Sequence, residues 1–150
     1  MSSEHSLSEV TLAAVVTTVV ATVLMVAISP LAGAAQVERP RVFTVQQASA
    51  GKAAFERNCA ACHMRDLSGD ADAPQLAGTQ FMSGWRARRV NELFQYMSTS
   101  MPPGMSPLNA GTYASITAYI LQSNGAGPGG DDLTATTATT IESVAPPGKP

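Results

Sequence analysis

The central part of this chain is expected to be all-α, with three core helices, on three observations. Three stretches repeat at helical spacing, the first through Gly51, Phe55 and Cys59 four residues apart and the other two through apolar residues at or near that period. The segment between the first two stretches reads as loop, with no strand suggested. Both cysteines of the chain lie in Cys59-Ala60-Ala61-Cys62-His63, where positions i, i+3 and i+4 share one helical face.

The segment 10–35 carries no charged residue and is rich in Val, Ala, Leu and Thr, so it reads as a targeting element to be set aside before any fold argument. Its end, Pro30-Leu31-Ala32-Gly33-Ala34-Ala35, has the small-x-small pattern of a cleavage site after Ala34 or Ala35. The flank before it holds Glu4 and Glu9 but no Lys or Arg. The apolar run also exceeds the ~20 residues that span a bilayer. Residues 1–35 are therefore a signal peptide or an uncleaved membrane anchor, although Arg39 and Arg41 just beyond oppose the usual positive-inside bias. Either way the downstream chain is expected to be exported to the periplasm, soluble if cleaved and membrane-associated if not.

About 115 residues remain, enough for one small domain at 44–125 after a linker at 36–43. Lys and Arg number nine in the whole chain and Asp and Glu eleven; without Glu4 and Glu9 the remainder is neutral. A general affinity for nucleic acid is not indicated. A domain so small buries little apolar surface, and a large apolar cofactor at its centre would supply the missing mass.

Thr44-Val45-Gln46-Gln47 reads as a capping box, with the Thr44 hydroxyl and the Gln47 amide satisfying free N–H groups at a helix start. About four turns follow, with Gly51, Phe55 and Cys59 on one stripe. The stretch 64–78, with three Asp, two Gly and one Pro, reads as loop. A second helix is expected over 88–98, where Val90, Leu93, Phe94 and Met97 make an apolar face, stopped by Pro102 and Pro103. The last runs from Asn109 as N-cap through Tyr113, Ile116, Tyr119 and Ile120 to Gly125. Residues 126–150, with Gly-Pro-Gly-Gly, a Thr/Ala tract and few large apolar groups, are expected to be a disordered tail.

Two thiols and an imidazole in the order Cys59, Cys62, His63 suit covalent haem: the sulfurs reach two vinyl groups while the ring points at the iron. Zinc would need four Cys or His donors, and only His5 is left. A dithiol redox pair would expect alternating strand and helix around it. A structural disulfide between the two cysteines is the plain alternative. One haem c per chain is the expected cofactor, with His63 as one axial ligand.

With no second His downstream, a thioether is the natural sixth ligand. Met64 is too close to His63, Met97 belongs to an apolar helix stripe and Met82 has no special context. Met101 stands in a loop stiffened by Pro102 and Pro103 and is the assigned ligand, with Met105 in the same loop as its competitor. A His/Met pair raises the potential and leaves no open site, favouring electron transfer over catalysis.

The pattern resembles the small class I c-type cytochromes, and within them the cytochrome domains associated with periplasmic quinoprotein alcohol dehydrogenases. The likeness covers about 46–125 and is carried by Gly51 with Phe55, the Cys59–His63 run, Asp66-Leu67-Ser68-Gly69 and Ala73-Pro74-Gln75-Leu76-Ala77-Gly78. Phe81 with Trp85, Met101-Pro102-Pro103-Gly104 and the run Ala118-Tyr119-Ile120-Leu121-Gln122-Ser123-Asn124-Gly125 complete it. It departs at Met105-Ser106-Pro107-Leu108-Asn109, where those relatives more often have a Pro-Gly turn and a Ser cap.

The resemblance implies the class I cytochrome c fold around one haem. It also implies that the Pro74 carbonyl accepts from the other ring nitrogen of His63, where composition alone would see a loop proline. Gly51 and Phe55 would cross the last helix near Ile116 and Tyr119. Trp85 would cover the haem edge near a propionate, core packing being its other explanation. Arg86, Arg88 and Arg89 neutralise propionates, dock an acidic partner or form a solvated face. The function expected is a one-electron carrier, not an enzyme on its own, between a redox donor such as a periplasmic dehydrogenase and an acceptor such as a terminal oxidase or further cytochrome. The alternatives are a subunit held tightly in a dehydrogenase or oxidase complex, and a gas-binding or peroxidatic haem protein.

Overall fold

The structure is a computed structural model and describes residues 38–146. In order these form α1 (Val45–Asn58), the single turn α2 (Ala60–His63), α3 (Thr79–Trp85), α4 (Val90–Ser100), α5 (Ala110–Ser123) and a second single turn, α6 (Ile141–Val144). The domain is all-α, and the only ladder pairing among the described residues is an isolated antiparallel bridge between Arg89 and Thr140. The leader or anchor expected over 1–35 lies outside the described residues. Among those described, no helix is long and apolar enough to cross a membrane.

The core is the crossing of α1 and α5. Gly51 on α1 permits it: a Cβ at that position would stand 1.8 Å from the Ser115 carbonyl oxygen, so any side chain would force the two backbones apart. One turn on, Phe55 is fully buried and its ring lies 5.5 Å from that of Tyr119. Burying a side chain of that size contributes about 1.5–3 kcal/mol. Ile116, Ile120 and Leu121 fill the remainder of the α5 face.

Local signals set the ends of these helices. Thr44 Oγ1 accepts from the Gln47 N–H at 3.1 Å, and Asn109 Oδ1 accepts from the Thr112 N–H at 2.9 Å, as N-caps do. After α5, Gly125 takes φ +92°, and Ala126 N–H reaches the Leu121 carbonyl while Gly125 N–H reaches that of Gln122. That pair of bonds is a Schellman stop, and the left-handed residue in it is the expected glycine. α4 buries Val90, Leu93, Phe94 and Met97 and ends before Pro102. It begins two residues later than the apolar spacing suggests, with Arg89 N–H donating to Glu92 Oε2 at 2.6 Å. The short helix α3, which buries Phe81 and Met82, is too brief to give a period in the sequence.

Two expectations are corrected. The Gln47 amide does not close a capping box: its Nε2 donates to the Leu133 carbonyl at 2.7 Å, and its Oε1 accepts from the Leu133 N–H at 2.8 Å. That contact belongs to the second correction, since 126–146 is a packed strap and not a disordered tail. Leu133, Ile141, Val144 and Ala145 are buried. The strap starts beside Phe43, whose carbonyl accepts from Gly129 N–H, and Thr44 Oγ1 donates to Asp132 at 2.6 Å. It then caps the start of α4: the Thr139 and Thr137 carbonyls accept from the N–H groups of Val90 and Asn91, first-turn donors that no helix can satisfy internally. Ile141 and Glu142 N–H close the pattern on the carbonyls of Arg88 and Arg86. Residues 38–43, expected as linker, take part as well, since Phe43 is fully buried and the Arg39 guanidinium donates to the Glu142 carbonyl at 3.1 Å.

The strap predicts a measurable stability term. Ile141→Ala should lower the unfolding free energy of the holoprotein by about 2–4 kcal/mol, the usual cost of emptying a closed apolar site. A denaturant titration followed at the haem absorption band checks this, and an unchanged midpoint would mean the strap does not pack.

Candidate haem site

The floor of the α1/α5 crossing opens into a cavity of about 490 Å³, lined chiefly by apolar side chains, a size typical of small-molecule sites. Phe55, Ile116 and Ile120 belong both to the core and to this wall. Cys59 ends α1, and the single turn α2 carries Cys62 and His63, so both sulfurs and the imidazole line the same space. Pro74, Trp85 and Met101 also line it. Met105 does not: it is 63% exposed on the far part of its loop.

His63 is buried and its Nδ1 lies 2.9 Å from the Pro74 carbonyl oxygen. A carbonyl can only accept, so Nδ1 carries the proton and Nε2 keeps a free lone pair. The loop that delivers Pro74 is held along its length. Gly69 N–H donates to the His63 carbonyl, Asp70 N–H to that of Ala73 and Leu76 N–H to that of Leu67. Asp66 Oδ1 takes both the Ser68 hydroxyl and its N–H, bonds that hold its carboxyl below the ordinary value although it is fully exposed.

Asn124, at the end of α5, ties this loop to the core. Its Oδ1 accepts from Gly78 N–H at 2.9 Å, and its Nδ2 donates to the carbonyls of Leu76 and Ile120 at 2.9 and 2.8 Å. Sequence reasoning gave Asn124 no role. The available signal was its place just before a helix-stopping glycine, with an amide that can bond in both directions.

The thiols differ. Cys62 is exposed, whereas Cys59 is partly buried and its thiol is pushed up to about 11, first by burial and then by the nearby Cys62. As a free thiol Cys59 is therefore neutral at ordinary pH. At the far edge Trp85 stacks on Phe81 at 6.3 Å and tilts against Tyr96 at 5.5 Å, with the Arg88 guanidinium 4.8 Å over its ring. Arg86, Arg88 and Arg89 are all exposed. Met97 lines the cavity too, from within the apolar face of α4, while Met82 is buried under α3.

An all-α domain that gathers two thiols at a Cys-x-x-Cys-His spacing and a tautomer-fixed imidazole around one apolar cavity is a c-type cytochrome domain. The family described as cytochrome c oxidase, cbb3-type, subunit III matches residues 46–120, half of the chain, and the chain belongs to that family of cytochrome c domains. No curated protein and no solved structure matches it. Its cofactor is covalently bound haem c, and the cavity fits one: apolar walls, two sulfurs and an Nε2 with no partner among the described residues face the same space.

The Asn124 bracket gives a second prediction. Asn124→Ala leaves the Leu76 carbonyl and Gly78 N–H without their partner, which costs about 1–3 kcal/mol in a buried setting. Amide exchange should quicken at Leu76 and Gly78 while staying slow at Ile116 in the core crossing. Equal protection at all three in wild type and variant would refute the bracket.

Proposed function

We propose that this protein is a one-electron carrier in which Cys59 and Cys62 hold the haem by thioethers and His63 Nε2 and Met101 are the axial ligands. When bound, haem c supplies a single Fe(III)/Fe(II) couple. The protein residues do the rest. The Pro74 carbonyl keeps His63 in one tautomer and raises its basicity as a ligand. The loop 101–105 turns Met101 towards the cavity and Met105 towards solvent, and this difference in placement is the observation that carries the ligand assignment. Phe55, Leu93, Ile116 and Ile120 exclude water, which favours the less charged oxidation state and, with a thioether ligand, a high potential. Trp85 covers one edge, its indole N–H having no protein acceptor among the described residues and so being free for a propionate. With His63 and Met101 both holding the iron, no coordination site would be left for substrate, and the protein would exchange single electrons with redox partners through brief encounters.

The expected donor is a periplasmic dehydrogenase and the expected acceptor a terminal oxidase or another cytochrome, in an exported protein. A second reading, that the domain is held stably in an oxidase or dehydrogenase complex, is favoured by the description of the matching family. Size-exclusion chromatography of native extracts separates the two: a free carrier elutes near its monomer mass, and co-elution with a large haem complex supports the subunit.

The ligand assignment is checked by the weak sulfur-to-iron absorption band at the red end of the ferric spectrum. Met101→Ala should abolish it and let carbon monoxide bind the ferrous protein readily, whereas Met105→Ala should leave both unchanged. The opposite pattern would transfer the ligand role to Met105.

A further inference from the structure

Tyr113 stands on the first turns of α5, outside the cavity lining, and is 3% exposed. Its hydroxyl donates to the Met101 carbonyl at 2.5 Å and accepts from Leu108 N–H at 3.2 Å. One phenol thus joins both ends of the loop 101–108. The ring is held in turn, edge-on to Phe94 at 82° with centroids 6.4 Å apart. On the other side of Met101 the backbone is fixed by its N–H, which donates to the Met97 carbonyl at the end of α4. Between the two pinned ends the loop makes, among the described residues, only the weak Met105 N–H to Pro102 carbonyl contact at 3.4 Å, and Met105 is exposed.

We propose that Tyr113 is the positioning residue that decides which of the two loop methionines meets the haem, by clamping the Met101 backbone at the cavity wall and closing the loop behind it. The inference rests on Met101 as the axial ligand. With the clamp in place, Met101 departs only when the phenol's bond to its carbonyl breaks. Without it the loop swings more freely, and the fraction of molecules with an open sixth position rises. An added ligand competes for that fraction, so its apparent affinity reports the clamp directly.

The experiment is imidazole titration of the ferric holoprotein, read as loss of the red-end sulfur band. Tyr113→Phe keeps the ring and removes the hydroxyl, and should tighten the apparent imidazole Kd about tenfold, the scale of one buried hydrogen bond. Thr117→Val is the control: it removes a buried hydroxyl bond to the Tyr113 carbonyl on the same helix without touching the loop, and should leave the Kd within about twofold. If Tyr113→Phe leaves the Kd unchanged while Met101→Ala lacks the band, the clamp is overturned and the ligand assignment stands. If Thr117→Val tightens imidazole as much as Tyr113→Phe, the effect is general loosening and the clamp is again overturned. Retention of the band in Met101→Ala would remove the ligand assignment and the clamp with it. Should Tyr113→Phe not accumulate, amide exchange on the unaltered protein decides. Leu108 N–H, held by the phenol, should exchange about tenfold slower than Ser106 N–H, and equal rates would overturn the clamp.

Discussion

The close crossing of α1 and α5 at Gly51 is the constraint from which the rest of the domain follows. Because the Ser115 carbonyl occupies the space a Cβ would take, the helices approach as nearly as backbones can. Phe55 and Tyr119 then meet, and Ile116 and Ile120 become the floor of the cavity. The end of α1 is brought with them, so the first thiol of the motif arrives at the cavity by helix geometry alone, and a single further turn brings Cys62 and His63.

Helix α5 acts as a beam with a polar fixture at each end. Near its start, Tyr113 grips the methionine loop; at its finish, Asn124 grips the loop that carries Pro74. Both fixtures are nearly buried and bond main-chain atoms on segments far from them in sequence or across a turn. Such contacts leave no choice of partner once made, since an abandoned carbonyl or N–H in an apolar setting costs more than a typical bond gains. The loops that bring Pro74 and Met101 to the cavity therefore inherit the rigidity of a helix although they contain little regular structure themselves.

What could be read from the sequence was what is local. The helix starts at Thr44 and Asn109, the stop at Gly125 and the apolar face of α4 each depend on residues within a turn or two of one another. The Cys59–His63 run is equally self-contained, which is why it announces its chemistry. The strap was not legible because Ile141 and Val144 make only a single turn and Leu133 stands alone well before them, while the bonds that hold the segment reach residues distant in sequence, such as Gln47 and Arg39. Gln47 was misread for the same reason: the pattern that suggests a capping box is also satisfied when the amide turns outward to a distant backbone. Tyr113 and Tyr119 look alike as buried aromatics of one helix, and nothing near them in sequence reveals that the hydroxyl of Tyr113 clasps a loop.

The bond from Arg39 to the Glu142 carbonyl means that the first and last described segments of the polypeptide run beside each other, within the reach of one side chain. The two ends of the module accordingly share a single point of departure. A unit built this way can be spliced into a host protein, or have its ends joined and new ones cut elsewhere, without pulling its helices apart.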